Sequence, residues 1–196
     1  RCKIPTCPAE FHAALHLMSG LFLPPDINAS FAFFSVDGDA IRFGLAAVRN
    51  VGDAAIENII DVRNRNGKFC SLVDFCSRVD MRTANKRVLE SLIKCGAFDS
   101  LGAKRSQLLA VLPQAVSEAM RNQQDALSGQ IGLFPEEEIS AALQLPDIEE
   151  ASREECLAWE KENTGFYITG HPLDAYHEKL DNLPSISTLQ EGNIKD

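Results

Sequence analysis

The sequence predicts a mainly helical protein with one short β-hairpin near its start. Three observations carry that expectation. Apolar residues recur at helical spacing through 43–64 and again through 85–95. Ser71 and Ser152 each stand three residues before an acidic residue, Asp74 and Glu155, the mark of a helix beginning. Asp37-Gly38 lies between two Phe- and Val-rich runs, which is a strong hairpin signal.

Residues 1–20 hold a short apolar helix candidate, Glu10–Met18, and Pro24-Pro25-Asp26 then break any helix. Ser30–Val36 and Ala40–Phe43 are predicted strands joined through a type I′ turn at Asp37-Gly38. Asp37-Gly38-Asp39 is superficially a metal-holding carboxylate pair, but its aromatic-rich flanks favour the turn. In 43–64, Leu45, Val48, Val51, Ile56, Ile59 and Ile60 form an apolar face interrupted once, at Asn50-Val51-Gly52. Two short helices around a tight turn follow, with Gly52 supplying backbone freedom and Asp53 the N-cap. Ser71 caps a helix over Leu72–Val79, and a further helix covers Asn85–Cys95 with Val88, Leu89, Leu92 and Ile93 on one face. Gly96 closes it. The next helix runs from Lys104 to about Met120, kinked or split by Pro113. Arg121–Gly129 is polar, and Pro135–Glu150 is acidic with few aromatics, a linker composition. Helical order resumes at Ser152, and Thr164–Tyr176 mixes β-formers with glycine and proline.

No run of about 18 apolar residues spans a membrane, and no charged-then-apolar leader opens the chain, so a membrane or secreted protein is not expected. Six scattered cysteines in a chain this size fit reduced thiols in a cytoplasm better than disulfide staples. The net charge of −9 is unevenly spread. Between Arg42 and Arg105 there are 12 Lys and Arg against 7 Asp and Glu, whereas Arg121 to Asp196 has 5 against 16. Phosphate binding follows the local potential, so the first region remains open to nucleic acid.

The turn at 50–54 is the most specific chemistry in the chain. It directs the amides of Gly52, Asp53 and Ala54 outward at a helix N-terminus, a ready seat for a backbone phosphate. The pattern resembles the helix-hairpin-helix DNA-binding motif, with Asn50 in place of its first glycine. Asn visits the left-handed region more easily than most residues. An ordinary helical hairpin without a ligand is the alternative. A second motif, Gln130-Ile131-Gly132-Leu133-Phe134, puts two large apolar residues at the end of a polar stretch. Burying both in a partner could contribute roughly 3–5 kcal/mol before ordering costs; the alternative is that they fold back on their own domain.

Taken in order, PPDINASF, DAIRFGLAAVRNVGDAAIENII, SLVDFCSRVD, NKRVLESLIKCGAFDSLG, QIGLF and TGFYITGHPLDAY resemble the bacterial replicative DNA polymerase III α subunits, a C-family polymerase family. The resemblance covers nearly the whole chain except residues 1–20, to which nothing is transferred. It implies residues 1–41 as the end of a fingers-like region, 42–120 as a tandem helix-hairpin-helix domain, 121–150 as a linker, and 151–196 as a helix and the start of an OB-fold-like region. It also implies a grip on duplex DNA behind the active site, and a Gln130, Leu133, Phe134 peptide for the sliding clamp. Other domains and subunits of the holoenzyme are the remaining partners. The family's catalytic carboxylates and their Mg2+ belong to an upstream palm, so this chain alone should be inactive and carry no cofactor.

The DNA-binding residues expected are therefore Arg49, Asn50, Gly52, Asp53 and Ala54 in the first hairpin, and Lys86, Arg87, Lys94, Gly96, Lys104 and Arg105 around the second. Each cation, like Arg63, Arg65, Arg78 and Arg82, has solvated helix surface as its plain alternative. Cys2, Cys7, His12 and His16 are spaced too closely for a zinc finger. His171 before Pro172 reads as structural or capping, and no Gly-rich phosphate loop supports nucleotide hydrolysis. Against DNA binding stands a protein-interaction scaffold joining polymerase domains without direct DNA contact; a DNA-repair module reusing the same hairpins is a weaker third reading.

Overall fold

The computed structural model describes residues 22–127 and 144–176. A small sheet comes first: β1 (Phe22–Leu23), β2 (Ser35–Asp37) and β3 (Ala40–Arg42), in the order β1-β3-β2. β3 runs antiparallel to β2 and parallel to β1, with Ile41 opposite both Phe22 and Val36. Among the described residues five α-helices follow: α1 (Asp53–Asn66), α2 (Leu72–Arg78), α3 (Lys86–Lys94), α4 (Arg105–Leu127) and α5 (Arg153–Thr164). The mainly helical class with a preceding hairpin is thus as expected, and no described helix is long and apolar enough to cross a membrane.

One core serves α1 to α4. Ile56 and Ile59 of α1, Leu72 and Phe75 of α2, and Leu89 and Leu92 of α3 meet Leu108 and Leu112 of α4. Phe75 bridges Phe69 and Phe98 at ring distances of 4.8 and 5.1 Å, geometries that aromatic pairs favour. Phe43 leads the sheet into the helices, touching Phe22, Phe34 and, from the far end of the chain, Phe166. The loop between β1 and β2 is bound into the helical body. The Ile27 amide donates to the Ala97 carbonyl at 3.0 Å, and Asn28 both donates to and accepts from the Phe69 backbone.

Several expectations change in detail. The strand expected over Ser30–Val36 shrinks to Ser35–Asp37, because Ser30 is buried and donates its hydroxyl to the Phe43 carbonyl at 2.7 Å. The hairpin loop is Gly38-Asp39, with Asp37 paired to Ala40. Only Gly38 has positive φ (+61°), the type II′ pattern rather than type I′. The first helix of the first hairpin is a single 3-10 turn, Leu45–Ala47. Pro113 does not split its helix: α4 continues through it to Leu127. Leu112, Ala115 and Val116 are all buried on either side, and that packing outweighs the one lost backbone bond.

The polar residues after Met120 are also partly helical. Gln123 explains why, since its amide donates to the Cys76 and Val79 carbonyls at the end of α2 while its carbonyl accepts from the Met81 amide. At the other end of the expected linker, 144–151 lies against the start of α4. α5 begins with the expected capping box between Ser152 and Glu155 and ends at Gly165, φ +82°. Residues 165–176 contain a 3-10 turn, Pro172–Tyr176, and no strand. The Glu10–Met18 helix, the Cys2, Cys7, His12, His16 set, most of the region expected to open an OB-fold, and Gln130, Leu133 and Phe134 lie outside the described residues.

Candidate nucleic-acid interface

The first hairpin is set by Asn50. Its φ of +66° makes it the one non-glycine residue in the left-handed region among the described residues, and its side-chain amide donates to the Ser91 hydroxyl on α3 at 2.9 Å. One residue therefore turns the chain and pins the turn to the neighbouring helix. Gly52 departs from expectation. Its φ of −86° is ordinary extended backbone, and it, not Asp53, is the N-cap of α1. A glycine cap has no side chain to cover the helix end, and Asp53 becomes the first helical residue instead. The amides of Gly52, Asp53 and Ala54 consequently meet no acceptor among the described residues, and all three residues are exposed. The outward amides are as anticipated, for a different reason.

Beside this turn lies a cleft of about 460 Å³, lined by Arg49 and Asn50, by Arg87, Glu90, Ser91 and Lys94 of α3, and by the end of α5 at Glu162 and Asn163. Arg49, Arg87 and Lys94 make no ion pair among the described residues. Lys86, one turn before Glu90, is exposed and 3.8 Å from its carboxylate. The far wall is fixed by the Arg49 amide, which donates to the Asn163 carbonyl at 2.7 Å. Ser91, Glu162 and Asn163 were not anticipated. Ser91 leaves one trace in the sequence, a polar residue interrupting the apolar face of α3; Asn163 leaves none, since only folding brings it near.

The second hairpin, α3 to α4, is built differently. Gly96 is left-handed at φ +85°, and a Cβ there would stand 2.5 Å from the Arg105 guanidinium. Arg105 is buried. It donates to Asp99 at 2.7 Å, to Glu160 at 3.2 Å and to the Lys94 carbonyl at 3.1 Å. Burial acts to lower its pKa, but Asp99 and Glu160 outweigh that and hold the guanidinium charged above its ordinary range. The Gly96 turn and the Arg105 guanidinium are thus committed to structure, contrary to the expectation that these groups meet a phosphate. Glu160, fully buried on α5, also accepts from the Ile168 and Thr169 amides and the Thr169 hydroxyl.

The N-terminus of α4 is likewise occupied. The Glu150 carboxylate accepts from the Arg105 amide at 2.8 Å and the Ser106 amide at 3.0 Å. Lys104 donates its ammonium to the Ile148 carbonyl at 2.9 Å.

Other cations divide on the same lines. Arg63 is buried and donates to the Ile27 and Ser30 carbonyls at 2.9 Å. Arg78 joins α2 to the Gly67 carbonyl and lies over the Phe69 ring, and Arg82 pairs with Asp80. Arg65 pairs with Asp61 on the surface of α1. His171 accepts the Leu173 amide on Nδ1, the capping role its position suggests. Among the described residues no cluster of His, Cys, Asp or Glu is arranged to hold a metal.

Comparison with known proteins agrees with this geometry. Residues 21–108 match the helix-hairpin-helix motif family. Over 170 residues the chain is 41% identical to the DNA polymerase III subunit alpha of Vibrio cholerae, covering 83% of this chain and 14% of that protein. The corresponding subunit of Borreliella burgdorferi is 38% identical over 173 residues, 86% of this chain and 15% of the relative. That of Thermus aquaticus is 42% identical over 154 residues, 79% and 12% respectively. The chain therefore spans about 14% of the length of a relative such as the Vibrio subunit.

Proposed function

This chain belongs to the DNA polymerase III α-subunit family, and on that premise we propose that it grips the sugar-phosphate backbone of duplex DNA without reading sequence. The observation that carries the proposal is the first-hairpin cleft. Among the described residues, Arg49, Arg87 and Lys94 stand there without an ion pair, beside a helix end whose amides at Gly52, Asp53 and Ala54 meet no acceptor. Cations and amides together suit phosphate oxygens, and nothing in the cleft has the form of a base-reading element. Asn50 would act by holding the turn against Ser91. Lys86 would add charge at the margin, and Lys104 would contribute once freed from its carbonyl partner.

The polymerase activity of the full-length relatives, with its Mg2+-binding carboxylates, would reside in other parts of such a subunit, in a bacterial cytoplasm, with the holoenzyme's other domains and subunits as partners. This segment would hold product duplex behind the reaction. We extend the reading to tethering: Gln130, Leu133 and Phe134 would dock on the sliding clamp, raising the enzyme's effective concentration on the template. Loss of clamp binding in a Leu133→Ala, Phe134→Ala variant would test this. Retained affinity would refute it.

The DNA reading is tested by fluorescence anisotropy of duplex DNA at several salt concentrations, on this chain and its Arg49→Glu variant. Three phosphates neutralised in the cleft give a log–log salt slope of about −3, and the variant should lose binding. A slope near zero, or an indifferent variant, would sink the proposal and favour a scaffold that joins polymerase domains without touching DNA. That second reading draws its own support from Arg105, whose guanidinium is committed to Asp99 and Glu160.

A further inference from the structure

The segment 144–151 crosses the start of α4 as an irregular strap, turned at Pro146–Ile148 by a bond from the Ile148 amide to the Pro146 carbonyl at 3.0 Å. Its backbone takes three side-chain bonds from that helix end. Lys104 donates to Ile148, the Ser106 hydroxyl to Glu149 at 2.7 Å, and Gln107 to Pro146 at 2.8 Å. It returns one charged group, the Glu150 carboxylate, whose two oxygens each take a separate amide, Arg105 and Ser106. A carboxylate bridging two consecutive amides at a helix N-terminus makes the contacts a phosphate would make there. The strap is acidic, with Asp147, Glu149 and Glu150, and it covers the side of the second hairpin that carries Lys104.

We propose that the strap 144–151 is an internal competitor of the DNA backbone, Glu150 occupying the second hairpin's phosphate seat and Lys104 being held out of use until the strap is displaced. The inference rests on the DNA-binding reading above and adds its regulation. With the strap seated, the amides of Gly52, Asp53 and Ala54 and the cations of the cleft beside them meet no acceptor or ion-pair partner among the described residues, whereas the Arg105 and Ser106 amides of α4 are taken. A second strand lying along α4 would exchange one anion for another at Arg105 and Ser106 and free Lys104 from the Ile148 carbonyl. Grip is then graded, one hairpin always available and the other available only against the strap. The α4 end stays protected from stray anions when no duplex is present.

The test uses the whole chain and its Glu150→Ala and Glu150→Gln variants, titrated with duplex DNA across salt concentrations. The alanine variant should bind several-fold more tightly at low salt. Its salt slope should steepen by about 0.9 for each phosphate gained at the second hairpin. The glutamine variant, which loses the charge but keeps an acceptor, should fall between it and the parent. Deuterium uptake by the 144–151 peptide of the unsubstituted chain gives a second readout independent of any variant, and it should rise on saturation with duplex. Unchanged affinity and slope in both variants, with unchanged uptake in the parent, would overturn the proposal while salt-dependent, Arg49-sensitive binding left the first-hairpin reading intact. Absence of DNA binding in every form would remove both.

Discussion

Replacing Asn50 separates its two tasks. The residue occupies the left-handed region at φ +66° and donates its side-chain amide to Ser91, which is buried. Asn50→Ala keeps the backbone demand and removes the bond. The left-handed conformation costs an ordinary L-residue roughly 1–2 kcal/mol, less for Asn, so alanine loses about 1 kcal/mol there. The lost hydrogen bond adds about 0.5–1.5 kcal/mol, for a total near 2 kcal/mol. Asn50→Gly loses the same bond but adopts the conformation freely, so it should fall about 0.5–1.5 kcal/mol below the parent, and about 1 kcal/mol less than alanine. Urea denaturation of the chain and both variants measures this directly, and thermal melting should follow at roughly 2–4 °C per kcal/mol. Equal destabilisation by alanine and glycine would refute the backbone argument; no loss in either would refute the role of the Ser91 bond as well.

Three further outcomes are expected. Glu160→Ala removes one of the two carboxylate partners of the buried Arg105 guanidinium and leaves three donors of the 168–169 loop without their acceptor, and should cost about 3–5 kcal/mol in urea unfolding, with Glu160→Gln costing less. Burial acts to raise the Glu150 carboxyl, but hydrogen bonds from Ser106, Ala151 and Arg105 outweigh it and hold the group below the ordinary value of 4.5. Its contact is therefore fully present above that value and lost as pH falls through the lowered one. The Ser106 amide resonance should shift across that acid range by NMR, and should not do so in Glu150→Gln. Burial pushes the Cys76 and Cys95 thiols up to about 12, leaving on the order of one thiolate in ten thousand at pH 8. Peptide mapping after brief alkylation should find the exposed Cys70 modified well before either.

What the sequence made legible was local. Asn50 could be assigned to the left-handed region because the requirement belongs to that residue and its immediate neighbours. The caps at Ser71 and Ser152 and the closure at Gly96 were readable for the same reason. Asp53 misled because its good capping chemistry sits one residue too late. The helix starts at it, and the bare Gly52 takes the cap position. Pro113 misled because a local rule for breaking helices met burial on both sides of the break. Among the cations, sequence had no means of telling Arg49 from Arg105. One projects into a cleft and the other is enclosed by Asp99 and Glu160, the latter contributed by a helix beyond the strap. Glu150 was legible as an acid in an acidic run, but its seat on α4 is a property of the folded chain alone.

The bond from the Arg49 amide to the Asn163 carbonyl carries a consequence for how the protein is made. During synthesis the turn at Asn50, the unpaired cations and α3 all leave the ribosome well before α5 exists. For that interval the nascent chain has these cations without the closing side of the cleft, and the Arg49 amide has no Asn163 carbonyl to meet. Only when residue 163 emerges does the cleft gain its last wall. A messenger truncated ahead of α5 would therefore yield a chain with the hairpins but an unfinished cleft, and the timing of translation through α5 sets when the cleft becomes complete.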